Sequence, residues 1–599
     1  MAPGGDLSAD ERARVAPYVT DPEGPVFALR GLPEAVKGAL FARYSRSPNS
    51  VRRILLEEFL PDSAGAPPGS TESVTGTGTV HVTGTGTVPV TGVPPEAPSD
   101  VGTDRARDFF QRVLADYGDD SVAQLGGAHV AMEGVSNVLT KVIEWGRLAS
   151  YLEQSTRYVP YTDQVDGRWK YVRPPGISAH PELLARYEAV LDDAFATYSR
   201  LFEAVLDHLV AEDDSGEDDA AARRALRARA LDAVRGLLPA ATTANLGVYA
   251  SGQAWEQLII RLRAHPLAEA REAGDLVLTA LREVIPDFLT RVDRPDRGER
   301  TGAYRRATEQ RAAAMWEELA AGAESVTGTG TVPVTGVGAT GTPVTVTVPV
   351  TVTPSGAPSA TPGAPSAAAA VRLVDHEPDG ERRVLAHALW PESGCTIDEV
   401  RARVDTLDGS AVRSALAQWA AGRADRRERP GRALEATSYL FEVTCDYGAY
   451  RDLQRHRILT LEAQPLGADL GWEPSPDVQA AGLADEFARV NEASADLWRE
   501  VLAVVPEEAP YAVTMAHRLR FAMRMNAREA MHLIELRSQP QGHAAYRRVA
   551  QDMLVAIRDD AGQPGIADLM GFTDMSGEGG RLAQERRTEA RRTADTVDS

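Results

Sequence analysis

The chain has 599 residues, which is more than a single hydrophobic core usually organises, so two or more domains are expected. With 43% hydrophobic and 25% charged residues it has the composition of a globular protein, and no stretch approaches the roughly 18 consecutive apolar residues that span a membrane. Its net charge of -22 would repel a phosphate backbone, which argues against a nucleic-acid partner. The first residues lack the basic start and apolar run of a secretory signal, so we expect a cytoplasmic protein.

Two low-complexity tracts divide the chain. The string ESVTGTGTV occurs at residues 72–80 and again at 324–332, and each copy continues into further Val, Thr, Gly and Pro. Because such sequence offers few large apolar side chains to bury, we predict a flexible insert at about 62–100 and a flexible linker at 321–370. A short β-rich appendage is the alternative, since Val and Thr favour strands.

The remaining sequence predicts two lobes, at residues 25–320 and 371–580, followed by a disordered tail at 581–599. Apolar residues spaced by three and four predict helices in both lobes, at 107–117, 182–209, 220–238 and 483–505. The run YLFEV at 439–443 predicts a strand. Helices and strands without repeating βαβ units indicate a helix-rich α+β fold.

Two segments carry complementary halves of one motif, and each copy keeps what the other has lost. The segment at 147–158 reads RLASYLEQSTRY, with the polar loop EQSTRY intact, but the triplet at 145–147 is WGR. The segment at 455–467 reads RHRILTLEAQPLG, with RHR intact but a loop at 463–467 that has no carboxylate, hydroxyl or guanidinium.

A third pair of segments divides in the same way. The helix-like run NAREAMHLIELR at 526–537 carries Asn526, Arg528 and His532 on its first two turns and ends in Arg537. Its first-lobe counterpart, GQAWEQLIIRLR at 252–263, retains only the final Arg263. Upstream, the run VRGLLP at 234–239 supplies Arg235.

Together these segments resemble the flavin-dependent thymidylate synthases, and the resemblance implies two tandem domains of that family. It implies that FAD contacts the second lobe, through Arg455, His456, Arg457, Glu435, Asn526, Arg528 and His532. It implies that dUMP contacts the first lobe, through Glu153, Gln154, Ser155, Thr156, Arg157 and Arg235. Either Arg263 or Arg537 would stabilise negative charge on the pyrimidine, and the sequence leaves that choice open. For Glu435, an ordinary surface carboxylate is the alternative.

The implied activity is conversion of dUMP to dTMP, with FAD as cofactor, methylenetetrahydrofolate as carbon donor and NADPH as reductant. The two cysteines make neither a disulfide framework nor a zinc site by number, and no metal site is predicted. The complementary losses predict one composite active site shared by the two lobes. Since members of the family are homotetramers, we expect a homodimer that forms a pseudo-tetramer.

Two other functions share these residues. One is a non-catalytic protein that binds flavin or nucleotide as a sensor or scaffold, and the other is a methylase of a different pyrimidine. The segments also depart from the family pattern at three positions. Leu152 replaces the usual Asn, and Gly467 replaces the final Arg. Asp452 lies before RHR, where the family often has a Gln that contacts the nucleotide.

Overall fold

The computed structural model describes residues 7–32, 34–44, 47–60, 122–124, 126–213, 219–324, 329–337, 343–351, 370–577, 580–582, 585–586 and 590. The predicted insert at about 62–100 and the predicted helix at 107–117 lie outside these residues. None of the described helices contains a stretch long and apolar enough to cross a bilayer.

Each lobe contains a four-stranded antiparallel sheet, and the two sheets have the same strand order, β1-β2-β4-β3 and β7-β8-β10-β9. The first consists of β1 (Val26–Ala28), β2 (Gly127–Ser136), β3 (Ala149–Glu153) and β4 (Thr243–Ser251). The second consists of β7 (Ala370–His376), β8 (Ser438–Asp446), β9 (Thr460–Ala463) and β10 (Arg518–Asn526). The repeated topology agrees with an internal duplication.

Strand β8 confirms the strand predicted at 439–443. Its odd-numbered residues Tyr439, Phe441, Val443 and Cys445 are all buried, and the residues between them are partly exposed. This alternation is the period-two pattern of a strand with one face on the core. It also accounts for Cys445 as a buried structural thiol.

The first lobe contains ten α-helices among its described residues. They are α1 (Ala9–Val15), α2 (Glu34–Tyr44), α3 (Val51–Ile54), α4 (Asn137–Glu144), α5 (Pro175–Ser178), α6 (Pro181–Ala211), α7 (Ala220–Val234), α8 (Gly252–Ala264), α9 (Ala268–Arg282) and α10 (Gly298–Glu324). The helices predicted at 182–209 and 220–238 correspond to α6 and α7. Helix α7 ends at Val234, and a single 3-10 turn, Arg235–Leu237, follows it before Pro239.

The second lobe has nine α-helices in the part of the chain that the structure describes. They are α11 (Gly380–Ser393), α12 (Ile397–Val404), α13 (Gly409–Trp419), α14 (Tyr447–Leu453), α15 (Pro476–Ala480), α16 (Ala484–Val504), α17 (Ala527–Arg537), α18 (Ala544–Val555) and α19 (Pro564–Asp568). Helix α16 confirms the prediction at 483–505. The mixture of helices and antiparallel sheets confirms the α+β, helix-rich class.

In each lobe the two central strands run directly into a helix, and a polar side chain caps every junction. Ser136 and Ser251 cap α4 and α8 in the first lobe, whereas Asp446 and Asn526 cap α14 and α17 in the second. Each side-chain oxygen accepts a hydrogen bond from a backbone N–H of the first helical turn. These junctions place the motif segments near the ends of the strands.

The two lobes share one hydrophobic core. The continuous cluster of buried side chains includes Trp255 and Phe195 from the first lobe and Phe521 from the second. Backbone hydrogen bonds also join the lobes. In one of them the N–H of Ala240 donates to the carbonyl oxygen of Val513 at 2.7 Å. The lobes therefore form a single folded unit.

Two predictions about the connecting segments differ from the structure. Within the predicted linker, β5 (Thr329–Val337) and β6 (Pro343–Thr351) pair as an antiparallel hairpin, in accordance with the β-rich alternative. The alternation of Val and Thr gives this tract its strand propensity. At the start of the tail that was predicted to be disordered, Arg581 is buried and Arg586 pairs with Asp219 at 2.8 Å.

Candidate functional site

The two motif halves meet at the contact between the lobes. The loop that follows β3 and the 3-10 turn Arg235–Leu237 belong to the first lobe, whereas the end of α14, the RHR turn and the last residue of α17 belong to the second. Four arginines from these elements surround one carboxylate. They are Arg157 and Arg235 from the first lobe, with Arg455 and Arg537 from the second.

Asp452 is the carboxylate at the centre of this cluster. Its oxygens lie 3.5 Å from Arg235, 3.5 Å from Arg455 and 3.9 Å from Arg537. Burial alone would raise the pKa of Asp452, but the guanidiniums of Arg455, Arg235 and Arg537 hold that pKa far below its usual range. Asp452 is therefore an ionised, buried acid.

Arg157 is fixed by partners from both lobes. It donates two hydrogen bonds to the carboxylate of Asp232, at 2.6 and 2.7 Å. It also donates to the hydroxyl of Tyr546 at 3.0 Å and to the backbone oxygen of Gln541 at 3.1 Å, both in the second lobe. The paired contact with Asp232 sets the plane of the guanidinium.

Glu153, predicted to contact the substrate, is a buried counter-ion for cations of both lobes. Its carboxylate accepts hydrogen bonds from Lys141 at 3.0 Å, Arg451 at 2.9 Å and Arg455 at 3.3 Å. Although burial raises the pKa of Glu153, the charges of Arg451 and Lys141 outweigh that effect and lower the pKa. Glu153 therefore acts in this structure by holding Arg455 in place.

The rest of the predicted nucleotide loop is organised by its own contacts. Gln154 donates through Nε2 to the backbone oxygen of Ser47 at 2.8 Å. The hydroxyl of Ser155 accepts the backbone N–H of Arg157 at 3.3 Å, and Thr156 is buried. These contacts define the loop conformation that presents Arg157.

The predicted flavin residues cluster at the start of α17 and around the RHR turn. Nδ1 of His456 lies 3.0 Å from Glu529, and Arg537 donates through Nε to Nε2 of His456 at 3.0 Å. Because a guanidinium only donates, the proton of a neutral His456 is assigned to Nδ1. Burial lowers the pKa of His456 to about 4, so the ring is neutral at physiological pH.

His456, Glu529 and His532 also offer ligand atoms within 4.8 Å of one another, a separation that a metal ion could bridge. Both ring nitrogens of His456 already take part in hydrogen bonds, one of them from the cationic Arg537. A cation at this position would be repelled by that guanidinium. The arrangement fits a hydrogen-bonded relay better than a metal site.

The arginines predicted to contact FAD retain unused hydrogen-bonding capacity. Nε of Arg457 and Nε of Arg528 are buried and make no hydrogen bond to any described residue. The guanidinium of Arg457 also lies 4.7 Å from the centre of the Tyr151 ring. Glu435 pairs with Arg432, which lowers its pKa, and the charge of Arg528 adds to that effect. These residues therefore fit an anionic, aromatic cofactor.

Arg263 is not part of the cluster. It forms ion pairs of 2.8 Å with Asp275 and 2.5 Å with Asp293, both in the first lobe. Arg537, the other candidate left open by the sequence, lies in the cluster beside Asp452 and His456.

The equivalent position formed by the other two motif segments lacks the first arginine of RHR. In place of the first arginine of RHR, Trp145 donates through its indole N–H to the backbone oxygen of Leu461 at 3.3 Å. Arg261 lies over the same indole, 5.1 Å from the ring centre. Arg147 donates to the hydroxyl of Thr460 at 3.1 Å.

A cavity of about 460 Å³ lies between the lobes, beside the cluster. Its lining includes Asp232, Arg235, His543 and Arg581. Arg581 pairs with Asp232 at 3.1 Å and lies over the ring of Tyr158, with 5.1 Å from the guanidinium carbon to the ring centre. The start of the C-terminal tail therefore belongs to the wall of the site.

The sequence did not indicate several of these residues. Asp232, Arg451, Tyr546 and Arg581 stand in no recognisable motif and come to the site only by folding. For Asp232 a weak signal existed, because it lies three residues before Arg235 at the end of a predicted helix.

The family described as "Thymidylate synthase complementing protein" matches the chain twice, at residues 90–287 and 372–561. The chain belongs to this family. Its two matches in tandem confirm the resemblance and the duplicated organisation inferred from the motifs.

Relatives of two kinds are similar to this member of the family. A UPF0159 protein of Chlamydia muridarum is 33% identical over 98% of this chain and 99% of its own length. One from Thermoplasma acidophilum is 28% identical over 81% of this chain and 92% of its own. A flavin-dependent thymidylate synthase of Mycolicibacterium gilvum is 30% identical, but over 30% of this chain and 68% of its own length.

Proposed function

We propose that the protein is an FAD-dependent thymidylate synthase that converts dUMP to dTMP at one composite site in each chain. Methylenetetrahydrofolate would supply the carbon and NADPH the reducing equivalents. One observation carries the proposal: Arg235 of the first lobe and Arg455 and Arg537 of the second lie within 3.9 Å of Asp452, and the charge of Arg157 acts on the same carboxylate. At this position, the polar residues that one motif copy has lost are retained by the other copy.

The charge of this cluster suits a nucleotide phosphate. Guanidiniums outnumber carboxylates among its interacting groups, which are Arg157, Arg235, Arg451, Arg455 and Arg537 against Glu153, Asp232 and Asp452. Arg235 is buried, and its Nε and Nη2 make no hydrogen bond within the described residues. Buried guanidinium N–H groups without partners are costly unless an oxyanion accepts them.

Arg537 is the group that would act on the pyrimidine. Its hydrogen bond to His456, which Glu529 orients in turn, fixes the direction of the guanidinium. A permanently charged, oriented guanidinium stabilises the negative charge that develops on the uracil N3 and carbonyl oxygens when C5 becomes nucleophilic. His456 and Glu529 are positioning residues in this scheme.

The second lobe would hold the cofactor. Arg457, Arg528 and His532 are the side chains of this lobe best suited to hydrogen-bond FAD, with Asn526 and Glu435 beside them. FAD supplies the reductive step when it is bound, which no side chain of the cluster could provide. The protein's own contribution is to position the substrate and polarise the ring.

The assembly and the number of active sites follow from the same asymmetry. Trp145 occupies the pseudo-symmetric position in place of an arginine, which supports one site per chain rather than two. A homodimer would then have two active sites in a pseudo-tetramer of four family domains.

The test is tritium release from dUMP labelled at C5, with full-length protein, FAD, NADPH and methylenetetrahydrofolate. We expect release by the wild type and loss of release in both Arg157→Ala and Arg537→Ala, one variant for each lobe. Arg263→Ala is the matched control, and it should retain activity. A wild-type protein that holds FAD but releases no tritium would refute the proposal and favour a sensor or a methylase of another pyrimidine.

A further inference from the structure

Asp452 is an unusual residue for the centre of a nucleotide site. Here a carboxylate occupies the position, it is buried, and Arg235, Arg455 and Arg537 lie within 3.9 Å of it. An anion of the protein itself therefore stands among the arginines that would bind the anion of a ligand.

The contacts of Asp452 are long for ion pairs in a buried site. They measure 3.5, 3.5 and 3.9 Å, whereas the contacts of Arg157 with Asp232 in the same cluster are 2.6 and 2.7 Å. Charge-assisted hydrogen bonds are typically about 2.7–2.9 Å. Asp452 therefore attracts its three arginines without saturating their donors.

Arg235 shows this incomplete pairing most directly. Its one ionic contact with Asp452 runs through Nη1, while Nε and Nη2 have no hydrogen-bond partner among the described residues. The side chain is almost fully buried, so water does not satisfy these donors at the protein surface. A second anion could accept them, but it would have to approach the charge of Asp452.

We propose that Asp452 is an internal counter-ion that competes with the ligand's phosphate for Arg235 and Arg455, and so determines how tightly the site binds anions. The identity of the ligand as a nucleotide rests on the proposed function, whereas competition with an oxyanion does not. Without ligand, the carboxylate offsets the mutual repulsion of the arginines. With ligand, the same carboxylate repels the phosphate.

Two consequences distinguish this role from that of an ordinary structural ion pair. Removing the charge while keeping the shape should tighten phosphate-bearing ligands, because the arginines lose their internal competitor. The same change should destabilise the ligand-free protein, because like charges then face one another without a counter-ion. A purely structural acid would weaken binding when it is removed.

The experiment compares full-length wild type, Asp452→Asn and Asp452→Gln by calorimetric titration with dUMP, deoxyuridine and inorganic phosphate. For both variants we expect dUMP to bind about tenfold more tightly or better, as for the loss of one close charge repulsion. Inorganic phosphate should also bind more tightly, and deoxyuridine should be unchanged. Asp232→Asn is the matched control, since it removes the charge of a partly buried aspartate that orients Arg157 in the same cluster, and it should weaken dUMP binding.

Thermal unfolding supplies an independent readout. Ligand-free Asp452→Asn should unfold at a lower temperature than the wild type, and saturating phosphate should reduce that difference. Weaker or unchanged binding of dUMP and phosphate by both variants would overturn the inference. If dUMP binds neither protein but phosphate stabilises the variants more than the wild type, the inference holds and the proposed function fails. If nothing binds to any form, both fail.

Discussion

Arg451 of the second lobe donates a hydrogen bond to Glu153 of the first at 2.9 Å, and both side chains are buried. Removing one partner of such a pair leaves an uncompensated buried charge, which costs about 3–5 kcal/mol. We therefore expect Glu153→Gln to lower the free energy of unfolding by about that amount, as measured by urea denaturation. The substitution should also weaken dUMP binding, because it releases Arg455.

The control for this change is a solvent-exposed ion pair that also joins the lobes. Arg186 and Glu500 are 3.4 Å apart, with 45% and 46% of their side chains exposed. Glu500→Gln should change the free energy of unfolding by less than about 1 kcal/mol. Equal effects of the two substitutions would contradict the counter-ion role of Glu153.

Arg157 should contribute to dUMP binding through both its charge and the planar geometry of its guanidinium. Replacing it with Lys keeps the charge but removes the planar fork that pairs with Asp232. We expect the affinity for dUMP, measured by equilibrium binding, to fall severalfold in Arg157→Lys and about a hundredfold in Arg157→Ala. FAD content should remain that of the wild type in both variants, and its loss would show that the substitution disturbs the fold.

The composite site should form within one chain. Arg455 reaches Glu153 of the same chain at 3.3 Å, so the halves of the site are joined intramolecularly. Mixing Arg157→Ala chains with His456→Ala chains, after denaturation and joint refolding, should restore no tritium release. Recovery toward a quarter of wild-type activity would instead mean that the halves come from different chains.

His456 should make the protein sensitive to mild acid. Burial lowers its pKa from 6.5 to about 4, so between these values the unfolded chain is protonated and the folded chain is not. The contribution of His456 to the free energy of unfolding is fully present above about pH 6.5. It falls by roughly 3 kcal/mol as the pH drops towards 4. The pH dependence of urea unfolding should be shallower in His456→Gln over this window, and an unchanged slope would argue that the ring is already charged.

Arg581 should act on the site through Asp232. It pairs with Asp232 at 3.1 Å, and Asp232 in turn orients Arg157. We expect Arg581→Ala to raise the KM for dUMP severalfold with little change in kcat, since uniform binding is lost. Arg586 lies in the same tail and forms an ion pair with Asp219. Breaking that pair with Arg586→Ala should leave both KM and kcat unchanged.

The linear spacing of residues was sufficient to find the two halves of the site. RHR at 455–457 and the run from Asn526 to Arg537 are local patterns, because helix geometry fixes which of their side chains share a face. The strand at 439–443 and the helices α6 and α16 were equally local, since apolar periodicity reports the face that a segment buries. The hairpin at 329–351 was only the alternative to a flexible linker, because the Gly and Pro content of the tract weighed against the strand propensity of alternating Val and Thr.

The sequence by itself determined the family, the duplication and the division of polar residues between the lobes. Only the tertiary structure distinguishes Arg263 from Arg537 as candidates, because the two occupy equivalent motif positions and differ in the residues that folding brings to them. Folding pairs Arg263 with Asp275 and Asp293, whereas it places Arg537 beside Asp452 and His456. The role of a charged side chain depends on the charges that surround it in space, and for Glu153 and Asp452 those charges come from distant parts of the chain.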